Sequence, residues 1–228
     1  MNHLVPVSVI VPVRNAAAHL AAALASVQSQ QPAPAEVIVI DGGSTDDSVA
    51  IARAHEIRVI AQDGRGLAAA RNQAIRACQQ PNIAFCDGDD RWAPGALALR
   101  MDALATNPQA WVVIGRVIRE QLANTEASAA QLEQVGRPVS GFTPGAMVAR
   151  RRTFEEIGFF DETLKISGDS DWFIRLQESP RPAIQIEDIV LYKGARSTSL
   201  SGDIEAYRCE LLTVARRFIG RSRGQPLP

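Results

Sequence analysis

The chain has 228 residues, of which 46% are hydrophobic, enough to bury one sizeable core in a single domain. Its 24 basic and 25 acidic residues leave a formal net charge of -1, which argues against nucleic acid or an anionic membrane surface as a partner of the whole chain. Cys78, Cys86 and Cys209, and His3, His19 and His55, are scattered, so neither a disulfide framework nor a zinc cluster is expected and a reducing cytoplasm fits. No signal peptide or transmembrane segment is expected, because the apolar run from Val5 to Val13 is too short to span a bilayer and contains Pro6 and Pro12. A lipid ligand would therefore be met peripherally, at the membrane surface.

In chain order, Val7 to Val13 is a continuous β-branched run, the pattern of a strand buried on both faces. Asn15 is placed to cap a following helix of about 15 residues, with Leu20, Leu24 and Val27 on one face. Glu36 to Ile40 reads as a second strand. Ser44 is expected to open a helix with Asp46 and Asp47 in its first turn. Ile57 to Ile60 is a short strand, Leu67 to Cys78 a helix, and Asn82 to Cys86 a fourth strand. Pro94 suits the first turn of the next helix, which carries the stripe Leu97, Met101 and Leu104.

The second half is less regular. Trp111 to Arg119, Phe142 to Arg150 and Ile184 to Tyr192 read as strands, and Thr153 to Ile157 and Asp169 to Glu178 as helices. The polar, Ala/Gln-rich stretch from Leu122 to Pro138 reads as a mobile loop or a frayed helix, and as a loop it could close over a ligand. Ile204 to Ile219 is an amphipathic helix, with Leu211, Leu212, Ala215, Phe218 and Ile219 expected inward and Arg208, Arg216 and Arg217 outward. Alternating strands and helices predict an α/β fold, a mostly parallel sheet with helices on both faces and ligands beyond the carboxyl ends of its strands.

Three unusual segments fall at those ends. Asp87-Gly88-Asp89-Asp90 follows the fourth strand, and three carboxylates in four residues repel one another unless positive charge lies among them. A Mg²⁺ or Mn²⁺ ion bound to a diphosphate would supply it, with Gly88 allowing a tight turn; the plainer reading is a solvated acidic turn. Asp41-Gly42-Gly43-Ser44-Thr45-Asp46 follows the second strand, where Asp41 could accept a ring N–H or a ribose hydroxyl, or the segment could be a plain strand-to-helix turn. In Gly168-Asp169-Ser170-Asp171-Trp172, Asp169 is placed either to cap a helix or to act as a general base. Arg71, within GRGLAAARN, could grip a phosphate or stand exposed on its helix. Cys86 reads as a small apolar strand residue rather than a nucleophile.

Taken in order, these segments resemble glycosyltransferase family 2, the inverting transferases of GT-A fold. The resemblance runs over residues 5 to 178 and adds Trp92, Gly145 to Val148, Gly158-Phe159-Phe160-Asp161-Glu162 and Asp169 to Arg175 to the segments above. It implies that Pro12, Val13 and Asn15 line a nucleotide pocket, that Asp41 holds the base, commonly uracil, and that Asp87 and Asp89 form the metal-binding DxD motif. It also implies that Asp169 is the catalytic base, although Gly168 stands where the family often has Glu. A QxxRW motif, the mark of the family's processive synthases, is absent, so a single transfer is expected. On this expectation residues 1–107 bind the nucleotide sugar and residues 108–228 bind a saccharide, lipid-linked or peptide acceptor. Two other readings stay open: a non-catalytic nucleotide-sugar binder and a nucleotidyltransferase, the latter weakened because Arg14 is the lone basic residue in Arg14-Asn15-Ala16-Ala17.

Overall fold

The computed structural model describes residues 4–121, 135–181, 183–195 and 204–222. The strands are β1 (Leu4–Val13), β2 (Ala33–Asp41), β3 (Arg58–Ala61), β4 (Asn82–Phe85), β5 (Arg91–Trp92), β6 (Val112–Gln121), β7 (Val139–Ser140), β8 (Met147–Arg150) and β9 (Ala183–Ala195). The α-helices are α1 (Ala17–Gln28), α2 (Ser48–Ala54), α3 (Leu67–Ala77), α4 (Ala96–Thr106), α5 (Arg152–Ile157), α6 (Gly168–Glu178) and α7 (Ile204–Ser222).

Among the described residues these strands form one sheet in the order β3-β2-β1-β4-β8-β6-β9-β5, with β7 pairing β6. The parallel series expected from the first half holds for β1 to β4. Beyond β4 the sheet becomes mixed, because β8 runs antiparallel to both β4 and β6 while β6 and β9 are parallel. Strands of the second half thus continue the sheet of the first without a break.

Period-two alternation sorts the core into two layers. Val7, Val9 and Val11 of β1 pack with Leu20, Leu24 and Val27 of α1 and Leu97 and Leu104 of α4. On the other face, Ile10, Ile38, Ile40, Ile83 and Phe85 meet Ala70, Ala74 and Ile75 of α3, Phe154 of α5 and Trp172 of α6. Helices on both faces bury both sides of each strand, so β1 needs apolar residues at consecutive positions.

Several local expectations are corrected. Asn15 does not cap α1: it has φ +51, and the helix begins after Ala16 without a side-chain cap of its own. The side chains of Ser44, Ser48 and Asp46 accept instead from the N–H groups of Asn15, Ala16 and Ala17. Those side chains lie in the loop and first turn leading into α2, so the helix starts at Ser48 rather than Ser44, with Asp46 and Asp47 ahead of it. Pro94 precedes Gly95, the cap of α4, so it lies outside that helix. The strand expected from Phe142 begins only at Met147, after a 3-10 turn at Pro144–Ala146. Residues 122–134 of the expected closing loop lie outside the described residues; beyond them Val135 bridges to Arg119.

The terminal helix is rotated from its expected face. Val214 is buried, whereas Leu212, Phe218 and Ile219 are exposed. Two polar side chains, Glu210 and Arg217, turn toward the body of the protein instead. A hydrophobic count cannot register an inward ion pair. No helix among the described residues is long and apolar enough to cross a membrane.

Candidate active site

The carboxyl ends of β1, β2 and β4 lie side by side and carry three loops. The first two are stitched together: Gly42 donates its N–H to the Val13 carbonyl at 2.8 Å, and Thr45 donates to Asn15 Oδ1 at 2.8 Å. A Cβ on Gly42 would lie 2.9 Å from Gln62 Oε1, so a larger residue there would displace the Gln62 side chain. Asp41 is buried, and its carboxylate accepts the N–H groups of Gly43 and Ser44. Pro12 and Val13 end β1 beside the third loop. Gly88 packs there: a Cβ on it would lie 3.2 Å from Ala16 and 3.5 Å from Val13. Its backbone is not left-handed, so close approach to the first loop, rather than a turn conformation, calls for glycine.

The acidic loop has built-in countercharges. Arg71 on α3 is buried, and its Nη2 donates to Asp87 Oδ1 at 2.8 Å. The guanidinium lies 5.9 Å and 5.7 Å from the ring centres of Phe85 and Phe160, so Arg71 is not the exposed helical residue that one reading allowed. Lys193, near the end of β9, places Nζ 3.1 Å from Asp90 Oδ2 and 3.8 Å from Asp87 Oδ2. The N–H of Gly194 donates to Asp90 Oδ1 at 3.0 Å. Thus the positive charge that the motif demands comes partly from the chain itself. Sequence reasoning missed Lys193; its signal was a charged residue directly after the apolar run Ile189-Val190-Leu191-Tyr192.

These pairings set the protonation states. Burial pushes the Asp90 carboxyl up to about 7, against the pull of Lys193. Burial alone would lower the Lys193 ammonium, but Asp90, Asp87 and Asp89 outweigh it and raise it, so the lysine stays charged. Asp169, in the first turn of α6, is half-buried and accepts the Ser170 N–H at 2.8 Å. Burial pushes its carboxyl above the usual aspartate value, while Arg71 and Lys193 hold it down and Asp87 adds to the rise. Asp87, Arg71, Lys193 and Asp169 therefore share one electrostatic environment although four separate elements supply them. Cys86 is buried and its thiol is pushed well up by burial, consistent with a packing role.

Asp87 and Asp89 offer hard oxygen donors, the ligand type that Mg²⁺ and Mn²⁺ take. Among the described residues no three His, Cys, Asp or Glu side chains gather into a closed metal cage. Two such carboxylates match the donor type of a cation whose remaining ligands are phosphate oxygens and water.

The glycosyl transferase family 2 model matches residues 8–172, which span every loop just described except the end of β9. The chain belongs to glycosyltransferase family 2. It is a glycosyltransferase of GT-A fold. This family 2 chain is 31% identical to the succinoglycan biosynthesis protein ExoU of Rhizobium meliloti, over 93% of its own length and 69% of that protein. In structure it is similar to S. aureus TarS in complex with UDP-GlcNAc, with TM-score 0.67 and 20% identity over 87% of this chain and 61% of that one. It is also similar to glucosyl-3-phosphoglycerate synthase from Mycobacterium tuberculosis in complex with Mn²⁺, UDP and glucosyl-3-phosphoglycerate. There the TM-score is 0.64 and the identity 20%, over 97% and 81% of the two chains. At such identities the structural likeness speaks for the fold. The family 2 chain spans little of some curated relatives, for example 15% of Escherichia coli chondroitin synthase.

Proposed function

We propose that this family 2 glycosyltransferase moves one sugar from a uridine diphosphate donor to an acceptor hydroxyl, with inversion at the anomeric carbon. The observation that carries the reading is the cluster of Arg71 and Lys193 around Asp87 at the end of β4, with Asp169 opening α6 against α3, where a Cβ on Gly168 would lie 3.8 Å from Ala68. Similarity to solved chains that hold UDP-GlcNAc, or UDP with Mn²⁺, supports the choice of donor and cation.

In this reading Pro12, Val13 and Asn15 line the nucleotide pocket, and Asp41 meets the uracil through a carboxylate already oriented by the Gly43 and Ser44 N–H groups. Arg71 holds Asp87 in place beside the diphosphate. Lys193 keeps the acidic loop folded by pairing with Asp90 and approaching Asp87. Asp87 and Asp89 would hold a Mg²⁺ or Mn²⁺ ion, which when bound offsets the charge growing on the leaving diphosphate. Asp169 takes the proton of the acceptor hydroxyl as its oxygen bonds to the anomeric carbon. The bond from that carbon to the diphosphate oxygen breaks in the same step, and the nucleoside diphosphate leaves. Residues 1–107 supply the donor side, and residues 108–228 supply Asp169 and the acceptor side.

The test is a thermal-shift series with UDP, UDP-glucose and UDP-N-acetylglucosamine, with and without Mn²⁺, on the natural chain and on Asp89→Ala. Ligand stabilisation follows RT ln(1 + [L]/Kd). Stabilisation by UDP that requires Mn²⁺, and that is lost in Asp89→Ala, is the expected result. Equal stabilisation of both proteins, with or without Mn²⁺, refutes the metal assignment.

A further inference from the structure

Helix α7 lies beyond residues 8–172, where the family model matches, and the mechanism above gives it no task. Its inward face nevertheless reaches the segment that leads to Asp169. The Glu210 carboxylate accepts three consecutive backbone N–H groups, from Lys165 at 2.9 Å, Ile166 at 2.9 Å and Ser167 at 2.8 Å. Two turns further on, Arg217 donates to Asp161 at 2.6 Å. Asp161 in turn accepts from the backbone and hydroxyl of Thr163. The spacing from 210 to 214 to 217 puts an acid, the buried Val214 and a base on one helical face.

Residues 161–167 form neither helix nor strand, so this stretch has no ladder to fix it. Its start is held from the site side: Asn72, next to Arg71, exchanges hydrogen bonds with the backbone of Phe160 at 2.9 Å and 3.0 Å. Its end is held by side chains of α7 and by the first turn of α6, where Asp171 N–H donates to the Ser167 carbonyl. Asp169 follows two residues after the last N–H that Glu210 grips. Burial works against the Glu210 charge, but the hydrogen bonds from Ser167, Ile166 and Lys165 outweigh it and hold the carboxyl below its usual range.

We propose that Glu210 is a positioning residue: by gripping the backbone of 165–167 it fixes where α6 begins and so where the Asp169 carboxylate stands. Arg217 and Asp161 set the other end of the same segment. The proposal rests on the reading of Asp169 as the base.

Amide hydrogen exchange and steady-state turnover of the full chain test it, using Glu210→Ala, Glu210→Gln and, as reference, Asp169→Asn. Protection at Lys165, Ile166 and Ser167 is expected to fall about tenfold or more in Glu210→Ala, with β1, β2 and β4 unchanged. Glu210→Gln keeps one accepting oxygen and recovers part of that protection. Turnover is read as UDP released from UDP-glucose or UDP-N-acetylglucosamine with Mn²⁺. In Glu210→Ala kcat is expected to fall about 10- to 100-fold with the donor KM within about twofold, and Glu210→Gln to restore part of it. Unchanged exchange at 165–167, a loss of protection spread evenly over the chain, or kcat within about twofold of the natural chain overturns the proposal. If Glu210→Ala does not fold, Glu210→Gln is judged by the same criteria. Normal turnover in Asp169→Asn removes the base reading and this inference together. An inactive Asp169→Asn beside an unaffected Glu210→Ala removes this inference alone.

Discussion

Lys193 and Asp90 stand 103 residues apart in sequence, yet the ammonium lies 3.1 Å from a carboxylate that is only 1% exposed. The pair joins the last residue of the acidic loop to the end of β9, and the Gly194 N–H reinforces it. A buried carboxylate of this kind survives because its partner is in place.

Lys193→Met removes that partner and leaves Asp90 buried with the Gly194 N–H still donating to it. Because the Asp90 carboxyl stands at about 7 even with Lys193 present, it takes up a proton once the lysine is gone, so a loss of about 1–3 kcal/mol is expected in denaturant unfolding above pH 7, and less below it. Adding Asp90→Asn to the same chain should recover much of it, because no buried group then has to take up a proton on folding. A double-mutant cycle with no coupling between the two positions contradicts the account.

Asp169 must be ionised to accept a proton, and burial pushes its carboxyl above the usual value of 3.8. Activity should therefore fall as pH drops through that raised pKa, placing the acid limb of kcat above 3.8. Asp169→Asn should cut turnover by about 10²- to 10⁴-fold and leave UDP binding near that of the natural chain. Steady-state rates across pH and a calorimetric UDP titration check both parts.

Arg71→Lys keeps the charge but loses the planar donors that meet Asp87 while lying against both Phe85 and Phe160. Turnover is expected to drop about tenfold or more although the chain still folds. Retention of full rate would mean that charge alone suffices there.

Gly168 has no steric reason to be glycine. A Cβ there would meet the Asp161 carbonyl at 3.5 Å and Ala68 Cβ at 3.8 Å, both ordinary contacts, and its φ is not left-handed. Gly168→Ala should stabilise the chain by about 0.4–1 kcal/mol, mainly by restricting the unfolded state. Thermal unfolding gives the sign directly, and a lower midpoint contradicts the prediction.

Much of the frame is legible in the sequence. Val7 to Val13, Glu36 to Ile40 and Asn82 to Cys86 read as buried strands, because two-sided burial imposes apolar residues at consecutive positions. Asp41, Asp87, Asp89 and Asp169 stood out because acidic residues at strand ends or helix starts break that local apolar pattern. The helix starts were misjudged at Asn15 and Ser44, since the N–H groups beginning α1 are satisfied from another loop, by Ser44, Asp46 and Ser48.

Local pattern thus determined most strands and helices of the first half and the acidic loops, because period and composition act within a few residues, whereas the family came from the resemblance of those segments taken in order. The tertiary structure alone decided that β8 reverses the sheet, that Lys193 returns to Asp90, and that Glu210 reaches across 43 residues to Ser167. Such contacts follow from where the chain comes back in space. A lysine after a strand or a glutamate within a helix looks the same in sequence whether it faces water or a buried polar partner.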